Sequence, residues 1–466
     1  MKSDTIAAIA TALTDSGIGI IRVSGPDSIS IVDNLFRTKT RGSILKNAKS
    51  HTIHYGFIFD GNEIIDEVMT SIMKAPRSYT TEDTVEIDCH GGILLMNKIL
   101  ETVVKNGARI AEPGEFTKRA FLNGRIDLSK AEAVMDIINA QNEFALRSSM
   151  AQLDGSVSNI IRNLRNKILY EIAFIESALD DPEHISIEGY QNKLLDIVED
   201  LLKELFILQE SSKNGKIIKE GINTVIVGKP NVGKSSLLNR LVGEEKAIVT
   251  DIAGTTRDII KENIKLKGIS LNIIDTAGIR KTEDQVEMIG VDRAKKYAME
   301  ADLVVHVIDA SLPLDQNDME IFKMIQNKKT VILLNKTDLE AVVTKDTILE
   351  IMNKEKYDDK NIEIMKTSTK EDVGIDIFEE TVINMFMLGK VQYNNEVIIT
   401  NMRHREAINN AINSLNMVNQ SLKDHMPEDF YSIDLMSAYS ELGYIIGEEI
   451  SDDLMTEIFS KFCMGK

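Results

Sequence analysis

One octapeptide limits the possible folds of this chain more than any other stretch. Residues 228–235 read Gly-Lys-Pro-Asn-Val-Gly-Lys-Ser, the pattern of a phosphate-binding loop. The apolar run at 224–227 predicts a buried strand before the loop, and the segment from Ser235 onward predicts the start of a helix. A strand, a glycine-rich turn and a helix N-terminus together direct backbone N–H groups at an anion. This context disfavours the alternative, a Gly/Pro surface turn.

The loop and two later segments predict the phosphate and metal contacts. Lys234 would reach the β- and γ-phosphates, and the Ser235 hydroxyl would hold Mg²⁺. In Asp-Thr-Ala-Gly at 275–278, Asp275 would meet Mg²⁺ through water and the Gly278 N–H would face the γ-phosphate. A hydroxyl from 254–258 would also reach the metal. The predicted contacts in these segments are Asn231, Val232, Gly233, Lys234, Ser235, Ser236, Thr255, Thr256, Asp275, Thr276, Ala277 and Gly278.

A second set of residues predicts that the base is guanine. Asn335-Lys336-Thr337-Asp338 follows another apolar run. The Asp338 carboxylate can accept hydrogen bonds from N1–H and the 2-amino group of guanine, whereas adenine has neither donor. The Lys336 stem can lie along the purine, and Ser368 is placed to support the base. These elements follow one another in order across 228–370 and predict a GTPase.

The predicted hydrolytic machinery lacks one common part. Many signalling GTPases place a Gln directly after the Asp-x-x-Gly element to orient the attacking water, but Ile279 stands there. The candidates to replace the Gln are Glu287, Arg280, Arg257 and Asn231. For the charged residues the alternative is a solvated switch-loop side chain. The amide oxygen of Asn231 can instead coordinate a monovalent cation beside the phosphates.

Four further stretches support a resemblance to a known family. They are Gly-Ile-Gly-Ile-Ile-Arg-Val-Ser-Gly at 17–25, Ser-Tyr-Thr-Thr-Glu-Asp-Thr-Val-Glu running on to Cys-His-Gly-Gly at 78–92, Pro-Gly-Glu-Phe-Thr-Lys-Arg-Ala-Phe-Leu-Asn-Gly-Arg at 113–125, and Phe-Cys-Met-Gly-Lys at 462–466. Over essentially its whole length the chain resembles the MnmE/TrmE family of tRNA-modification GTPases. The resemblance implies a multidomain α/β and α protein: an α+β folate-binding N-terminal domain, a discontinuous helical domain and an inserted Ras-like P-loop G domain.

The resemblance also implies a second cation. In the family the residues that match Asn231, Thr250, the Ile252 carbonyl and Thr255 bind K⁺, while those that match Ser235 and Thr256 hold Mg²⁺. The acid at Glu287 orients or activates water, which answers the missing Gln. K⁺ is held when two G domains meet, so hydrolysis is expected to depend on K⁺ and on dimerisation.

A folate site and two partners are implied as well. Folate ligands of the family match Arg22, Glu86, Arg125 and Lys466, and the expected cofactor is a 5-formyl or methylene tetrahydrofolate. The one-carbon unit enters a carboxymethylaminomethyl-type modification of the wobble uridine of tRNA. The reaction requires an FAD-dependent MnmG/GidA-like partner, so the expected assembly is a homodimer within a cytoplasmic heterotetramer.

The two cysteines, Cys89 and Cys463, are expected to be free thiols of a reducing compartment. From the residues alone, Cys463 is best interpreted as a small buried hydrophobe. The resemblance shifts that interpretation to a functional thiol near bound folate. The two predicted catalytic residues are therefore Cys463 in the C-terminal segment and Glu287 in the G domain.

The chain departs from the family pattern at several positions. Thr81 stands where Gly is usual, Asp88 where a His or a neutral residue is common, and Arg125 where Lys is frequent. Met464 replaces an Ile. Asp88 adds negative charge beside the implied folate site, so it is expected to weaken folate binding modestly.

The hydrophobic pattern divides the chain into four segments. The predicted divisions are 1–118, 119–215, 216–385 and 386–466. The first mixes short strands and one helix, an α+β pattern, and the third alternates strands with helices, an α/β pattern. The second and fourth repeat apolar residues at helical spacing, as in Ile160, Leu164, Ile168 and Ile172. The simplest model inserts the third segment into a helical domain formed by its two flanks.

Composition limits the class of protein. A length of 466 residues with 43% hydrophobic and 27% charged residues predicts a soluble protein of about three domains. No membrane span or signal peptide is predicted. The net charge of −19 is unfavourable for contact with RNA phosphates. Two local basic regions are the candidates, with solvated faces as the alternative: Arg109, Lys118, Arg119, Arg125 and Lys130, then Arg162, Arg165 and Lys167.

Two other functions stay open at this point. A ribosome-assembly GTPase of the Era/Der type shares the G elements, but it lacks a Cys-x-Gly-Lys terminus and carries basic RNA-binding domains. A folate-dependent one-carbon enzyme regulated by GTP is the other possibility, although the N-terminal stretches contain no complete acid/base set for such chemistry.

Overall fold

The structure, a computed structural model, describes most of the chain. The described residues are 4–39, 44–181, 184, 189–244, 262–266, 268–274, 299, 301–326, 328–355, 361–386, 397–463 and 465. The predicted site residues outside these ranges are Thr250, Ile252, Thr255, Thr256, Arg257, Asp275, Thr276, Ala277, Gly278, Arg280, Glu287 and Lys466.

The first sheet is built from the N-terminal part of the chain. Its strands are β1 (Ile6–Ile9), β2 (Ser16–Ser24), β3 (Phe36–Arg37), β4 (Thr52–Asp60), β5 (Glu63–Met73), β6 (Thr84–Gly91) and β7 (Arg109–Ile110). They lie in the order β3-β4-β5-β6-β2-β1-β7, and all pairs are antiparallel except β1–β7.

Two helices, α1 (Ser28–Leu35) and α2 (Ile93–Lys105), supply apolar side chains to the same core as one face of this sheet. The alternation along β4 and β5 places Ile58, Val68 and Ile72 in that core, because successive side chains of a strand point to opposite faces. The predicted mixture of short strands and a helix is therefore present, with α1 as a helix beyond the one expected.

The second sheet surrounds the phosphate-binding motif. Its strands are β8 (Ile222–Val227), β9 (Glu262–Leu266), β10 (Ile269–Ile273), β11 (Leu303–Asp309), β12 (Thr330–Asn335) and β13 (Ile362–Lys366). The order is β13-β12-β11-β8-β10-β9, and every pair is parallel except β10–β9. After β8 the chain first forms β9 and β10 on one side of that strand and then β11, β12 and β13 on the other side. A ligand crevice is expected at the carboxyl end of β8, where the direction changes.

Four described helices accompany this sheet: α8 (Lys234–Glu244), α9 (Gln316–Met324), α10 (Lys345–Glu355) and α11 (Ile375–Phe386). Buried clusters lie on both faces, which explains why β11 and β12 are almost continuously apolar.

The remaining described helices are α3 (Glu115–Leu122), α4 (Leu128–Ile138), α5 (Glu143–Asp154), α6 (Ser156–Asp180), α7 (Tyr190–Glu220), α12 (Met402–Lys423), α13 (Glu428–Ile446) and α14 (Asp452–Ser460). Along α6, Leu164, Ile168 and Ile172 are buried as predicted. Ile160 is half-buried and its neighbour Ile161 is fully buried, because the helical repeat of 3.6 residues allows a step of three as well as four.

The chain separates into two compact units. One comprises residues 1–135, 152–198 and 413–466, and the other comprises 136–151 and 199–412. A multidomain α/β architecture is present, since the two sheets belong to different units. The three-domain division and its boundaries remain predictions. None of the described helices is both long and apolar enough to cross a membrane.

Candidate functional site

The phosphate-binding loop connects β8 to α8 as the sequence predicts. Lys234 is the first residue of α8, and its Nζ donates to the carbonyl oxygens of Gly228 and Lys229 at 2.7 and 2.6 Å. Burial lowers the pKa of Lys234 because desolvation penalises the charged form. Asn231 has a left-handed backbone with φ of 61° and an exposed side chain. The loop therefore presents one half-buried cation and one accessible amide.

The segment predicted to read the base meets the loop at the end of β12. The Asn335 side chain is fully buried; its Nδ2 donates to the Val232 carbonyl at 2.8 Å, and its Oδ1 accepts from the Thr369 N–H at 3.1 Å. Asn335 thus joins the phosphate loop to the segment containing Ser368. This linking role is additional to the one predicted.

Asp338 is held ready to accept hydrogen bonds. The Ser368 hydroxyl donates to its Oδ1 at 2.8 Å, and this bond lowers the pKa of the Asp338 carboxyl. A carboxylate that stays ionised keeps its lone pairs for the N1–H and 2-amino donors of guanine. The predicted supporting role of Ser368 has this contact as its physical basis.

Lys336 makes an ion pair that the sequence did not predict. Its Nζ lies 2.6 Å from Oδ2 of Asp309, the last residue of β11, and its backbone has φ of 63°. Asp309 is also fixed by the N–H and hydroxyl of Ser311. The Lys336 stem is therefore anchored at its tip while its methylenes can lie against a purine.

A second cluster lies on the N-terminal sheet. Arg22 and Glu86 are directly opposite each other on β2 and β6, and Arg22 Nε donates to Glu86 Oε1 at 2.7 Å. The guanidinium also lies over the rings of Tyr79 and Phe116, with 5.7 and 5.6 Å to their centroids. This pairing orients both of the family-implied residues.

Arg125 joins the cluster through Tyr79. Its guanidinium lies 4.9 Å from the Tyr79 ring centroid, and its Nη1 donates to the Tyr79 carbonyl at 3.1 Å. Tyr79 thus contacts both Arg22 and Arg125. Its position in the Ser-Tyr-Thr stretch was the one sequence feature that pointed to this residue, and it did not predict either contact. A groove of about 620 Å³ opens here, and its lining includes Arg77, Tyr79 and Arg125. A planar guanidinium can stack on an aromatic ring in a way that Lys cannot, so Arg125 changes the chemistry of this wall.

The C-terminal segment lies against the same cluster. Arg22 Nη1 donates to the Gly465 carbonyl at 3.0 Å, and the Gly114 N–H donates to the Cys463 carbonyl at 3.2 Å. Gly465 has φ of 89°, and a Cβ there would collide with the Ile9 carbonyl, so the close approach requires glycine. Cys463 is a free, exposed thiol, so the interpretation of a buried hydrophobe was wrong.

Two departures from the family pattern have visible consequences. Thr81 has φ of 62°, a conformation that disfavours β-branched residues and that Gly, the residue expected there from the resemblance, adopts without strain. Asp88 lies one alternation beyond Glu86 on β6. The pKa of the Asp88 carboxyl is raised, mainly by burial and to a smaller extent by the negative charge of Glu86.

Four arginines of the basic regions predicted for RNA are paired with carboxylates. Arg109 pairs with Asp4 and Glu115, and Arg119 pairs with Asp4, Glu82 and Glu115 at 2.8–3.1 Å. In the second region Arg162 pairs with Asp127, and Arg165 pairs with Glu448 and Glu449. These guanidinium groups hold their own unit together, and their spacing in the sequence gave no sign of the distant carboxylates.

A buried histidine lies beneath the phosphate loop. His306 on β11 is opposite Val227, the last residue of β8, and packs edge-on against Phe322 at 5.2 Å between centroids. Neither ring nitrogen has a hydrogen-bond partner among the described residues. Burial, with smaller contributions from the charges of Lys229 and Lys234, lowers the pKa of His306 to about 3.

We expect His306 to make stability depend on pH. An unfolded histidine titrates near 6.5, so the unfolded state alone binds a proton between about pH 6.5 and 3, and stability falls as pH decreases through that window. Acidification from pH 7 to 5 should cost about 2 kcal/mol through this residue. Urea denaturation at pH 7 and pH 5 measures this decrease in the free energy of unfolding. The decrease should be about 2 kcal/mol smaller in His306→Leu than in the native protein. Equal losses in both proteins would contradict the expectation.

The fold and the loop define a class of protein. A phosphate loop between β8 and α8, followed by the Asn335-Lys336-Thr337-Asp338 segment at the end of β12, is the combination found in P-loop GTPases.

Comparison with known proteins gives the family. The models for the GTP-binding protein TrmE N-terminus and the MnmE helical domain match residues 5–125 and 128–463. Proteins named tRNA modification GTPase MnmE from Lachnoclostridium phytofermentans and Acetivibrio thermocellus are 56% and 47% identical, and each match covers 100% of both chains. A solved structure of the Era protein of Aquifex aeolicus is 28% identical over 42% of this chain and 67% of its own, and its TM-score is 0.26. The chain belongs to the MnmE family of GTPases.

Proposed function

We propose that the chain is a K⁺-stimulated GTP hydrolase that drives tRNA modification. With an FAD-dependent partner it would support a folate-dependent, carboxymethylaminomethyl-type change at the wobble uridine. The observation that carries the proposal is the exposed Asn231 amide on the loop that positions Lys234. Full-length relatives named tRNA modification GTPases support it and favour it over the ribosome-assembly and GTP-regulated alternatives.

The described residues would supply part of the nucleotide site. The loop N–H groups and Lys234 face the phosphates, while Asp338, supported by Ser368, reads guanine. Ser235 is exposed in the first turn of α8, and with Thr256 it would hold Mg²⁺. When bound, Mg²⁺ neutralises charge on the β- and γ-phosphates.

The cation site would explain hydrolysis without the usual Gln. The Asn231 amide oxygen fits a K⁺ ligand because it is exposed, and neutral oxygen donors suit that ion. Thr250, the Ile252 carbonyl and Thr255 would complete the site. Bound K⁺ supplies positive charge beside the phosphates, and Glu287 would orient the attacking water.

A reduced folate would occupy the cluster on the N-terminal sheet. Arg22, Glu86 and Arg125 are brought together around Tyr79, and the segment that ends in Lys466 reaches Arg22 through Gly465. A guanidinium binds carboxylates, and a carboxylate accepts from the amino and ring N–H groups of a pterin. The exposed Cys463 thiol would act near this ligand.

The open face of the same sheet supports a homodimer. Tyr55, Met69 and Asp88 are cross-strand neighbours in one row, with Tyr55 57% and Met69 46% exposed. Ile53 lies in the next row at 67% exposure. Exposed apolar rows of this kind mark association surfaces. A second copy of this chain would cover them beside the folate residues.

The charge distribution supports an assembly with a partner. With a net charge of −19, and with Arg109, Arg119, Arg162 and Arg165 paired to carboxylates, these parts of the chain are poorly suited to contact RNA phosphates. We therefore expect the FAD-dependent, MnmG/GidA-like partner to supply much of the tRNA contact in a cytoplasmic heterotetramer.

The first test is GTP hydrolysis in K⁺ against Na⁺ at equal ionic strength. We expect K⁺ to raise the rate by at least about tenfold in the native protein, and Asn231→Ala to abolish that stimulation. Asn239→Ala, an exposed amide further along α8, is the matched control and should keep it. Equal rates in both salts would refute the cation mechanism.

A further inference from the structure

Lys229, the second residue of the phosphate loop, directs its side chain to α9. Its Nζ lies 2.7 Å from Asp318 Oδ2 and 3.1 Å from Asp315 Oδ2. The Lys229 side chain is 17% exposed and that of Asp318 only 1%. The sequence pattern assigns no role to this position, since the loop pattern leaves it free.

Both acids are fixed by the start of α9. Asp315 is the N-cap and accepts from the N–H groups of Asn317 and Asp318, while Asp318 accepts from the Asp315 N–H. This reciprocal capping box holds the two carboxylates in place. Lys229 is therefore paired with a rigid anchor, and its pKa is raised by hydrogen bonds to Asp318 and Asp315 that outweigh its burial.

The backbone of Lys229 connects that anchor to Lys234. The Lys229 carbonyl accepts from Lys234 Nζ at 2.6 Å, and the Gly228 carbonyl accepts at 2.7 Å. Gly228 itself has φ of 148°, where a Cβ would collide with the Val307 carbonyl of β11. The start of the loop is thus held by α9 on one side and β11 on the other.

We propose that Lys229 is a positioning residue for nucleotide binding. It holds the start of the loop against α9, and it neutralises two carboxylates that would otherwise repel the triphosphate. The first effect orders the loop N–H groups and Lys234. The second effect is electrostatic. Removing the charge of one carboxylate should therefore restore part of the nucleotide affinity that is lost when Lys229 is replaced.

The test is the dissociation rate of a fluorescent GDP analogue. Lys229→Met should dissociate the analogue about tenfold faster, the size expected for losing a hydrogen-bonded charge. KM for GTP should rise in parallel, with kcat at saturation within about twofold. Lys229→Arg should behave as the native protein. Adding Asp318→Asn to Lys229→Met should slow dissociation again.

Lys219→Met is the matched control. Lys219 Nζ lies 2.7 Å from Asp136, whose side chain is 10% exposed, and it precedes β8 whereas the loop follows that strand. This variant should keep the native dissociation rate. A native rate in Lys229→Met, equal acceleration in the control, or no recovery with Asp318→Asn would each overturn the proposal. If far-UV circular dichroism shows Lys229→Met unfolded, Lys229→Gln replaces it, with the same expected direction.

Discussion

Asp338→Asn is expected to lower GTP affinity by at least about a hundredfold and to transfer preference to xanthosine triphosphate. The substitution replaces a paired acceptor by an amide whose NH₂ would face the N1–H and 2-amino donors of guanine. Xanthine carries a carbonyl in place of the 2-amino group and can accept from that amide. Competition of GTP and xanthosine triphosphate against a fluorescent GDP analogue measures both affinities.

Ser368→Ala provides the control for this experiment. It removes the hydroxyl that donates to Asp338 at 2.8 Å but leaves the carboxylate in place. The GTP affinity should fall by no more than about tenfold, with guanine still preferred. Unchanged discrimination in Asp338→Asn would show that another group reads the base.

A candidate nucleotide site can be located from the sequence because the residues proposed for it lie in short contiguous motifs. Gly228 to Ser235 determine their own loop, and Asn335 to Asp338 lie at a strand end where parallel strands converge. The residues that fix those motifs are distant in the chain. Lys229 meets Asp318, for which no local pattern gives a sign.

The N-terminal cluster shows the opposite case. Arg22, Glu86 and Arg125 share no local motif, and only the family resemblance named them together. Their contact depends on the pairing of β2 with β6 and on Tyr79 between the two arginines. The exposure of Cys463 likewise depends on tertiary structure. The backbone carbonyl of Cys463 accepts a hydrogen bond from the Gly114 N–H, while its thiol is exposed.

Gly233→Ala is expected to disable the phosphate loop as a whole. Gly233 has φ of 107°, and a Cβ there would collide with Asn335 Nδ2. That nitrogen cannot move freely, because Asn335 also bonds Val232 and Thr369. Backbone strain and loss of the buried hydrogen bond together should destabilise the domain by about 2–4 kcal/mol.

The nucleotide affinity should fall with the stability, because Asn335 links the phosphate loop to the segment that contains Ser368 and Thr369. We expect a loss of about a hundredfold, measured by titration of a fluorescent GDP analogue. Gly61→Ala is the control: φ is 61° and its Cβ would meet nothing within 4 Å, so strain alone should cost about 1 kcal/mol. Native affinity in Gly233→Ala would mean that the loop tolerates a side chain where the geometry forbids one.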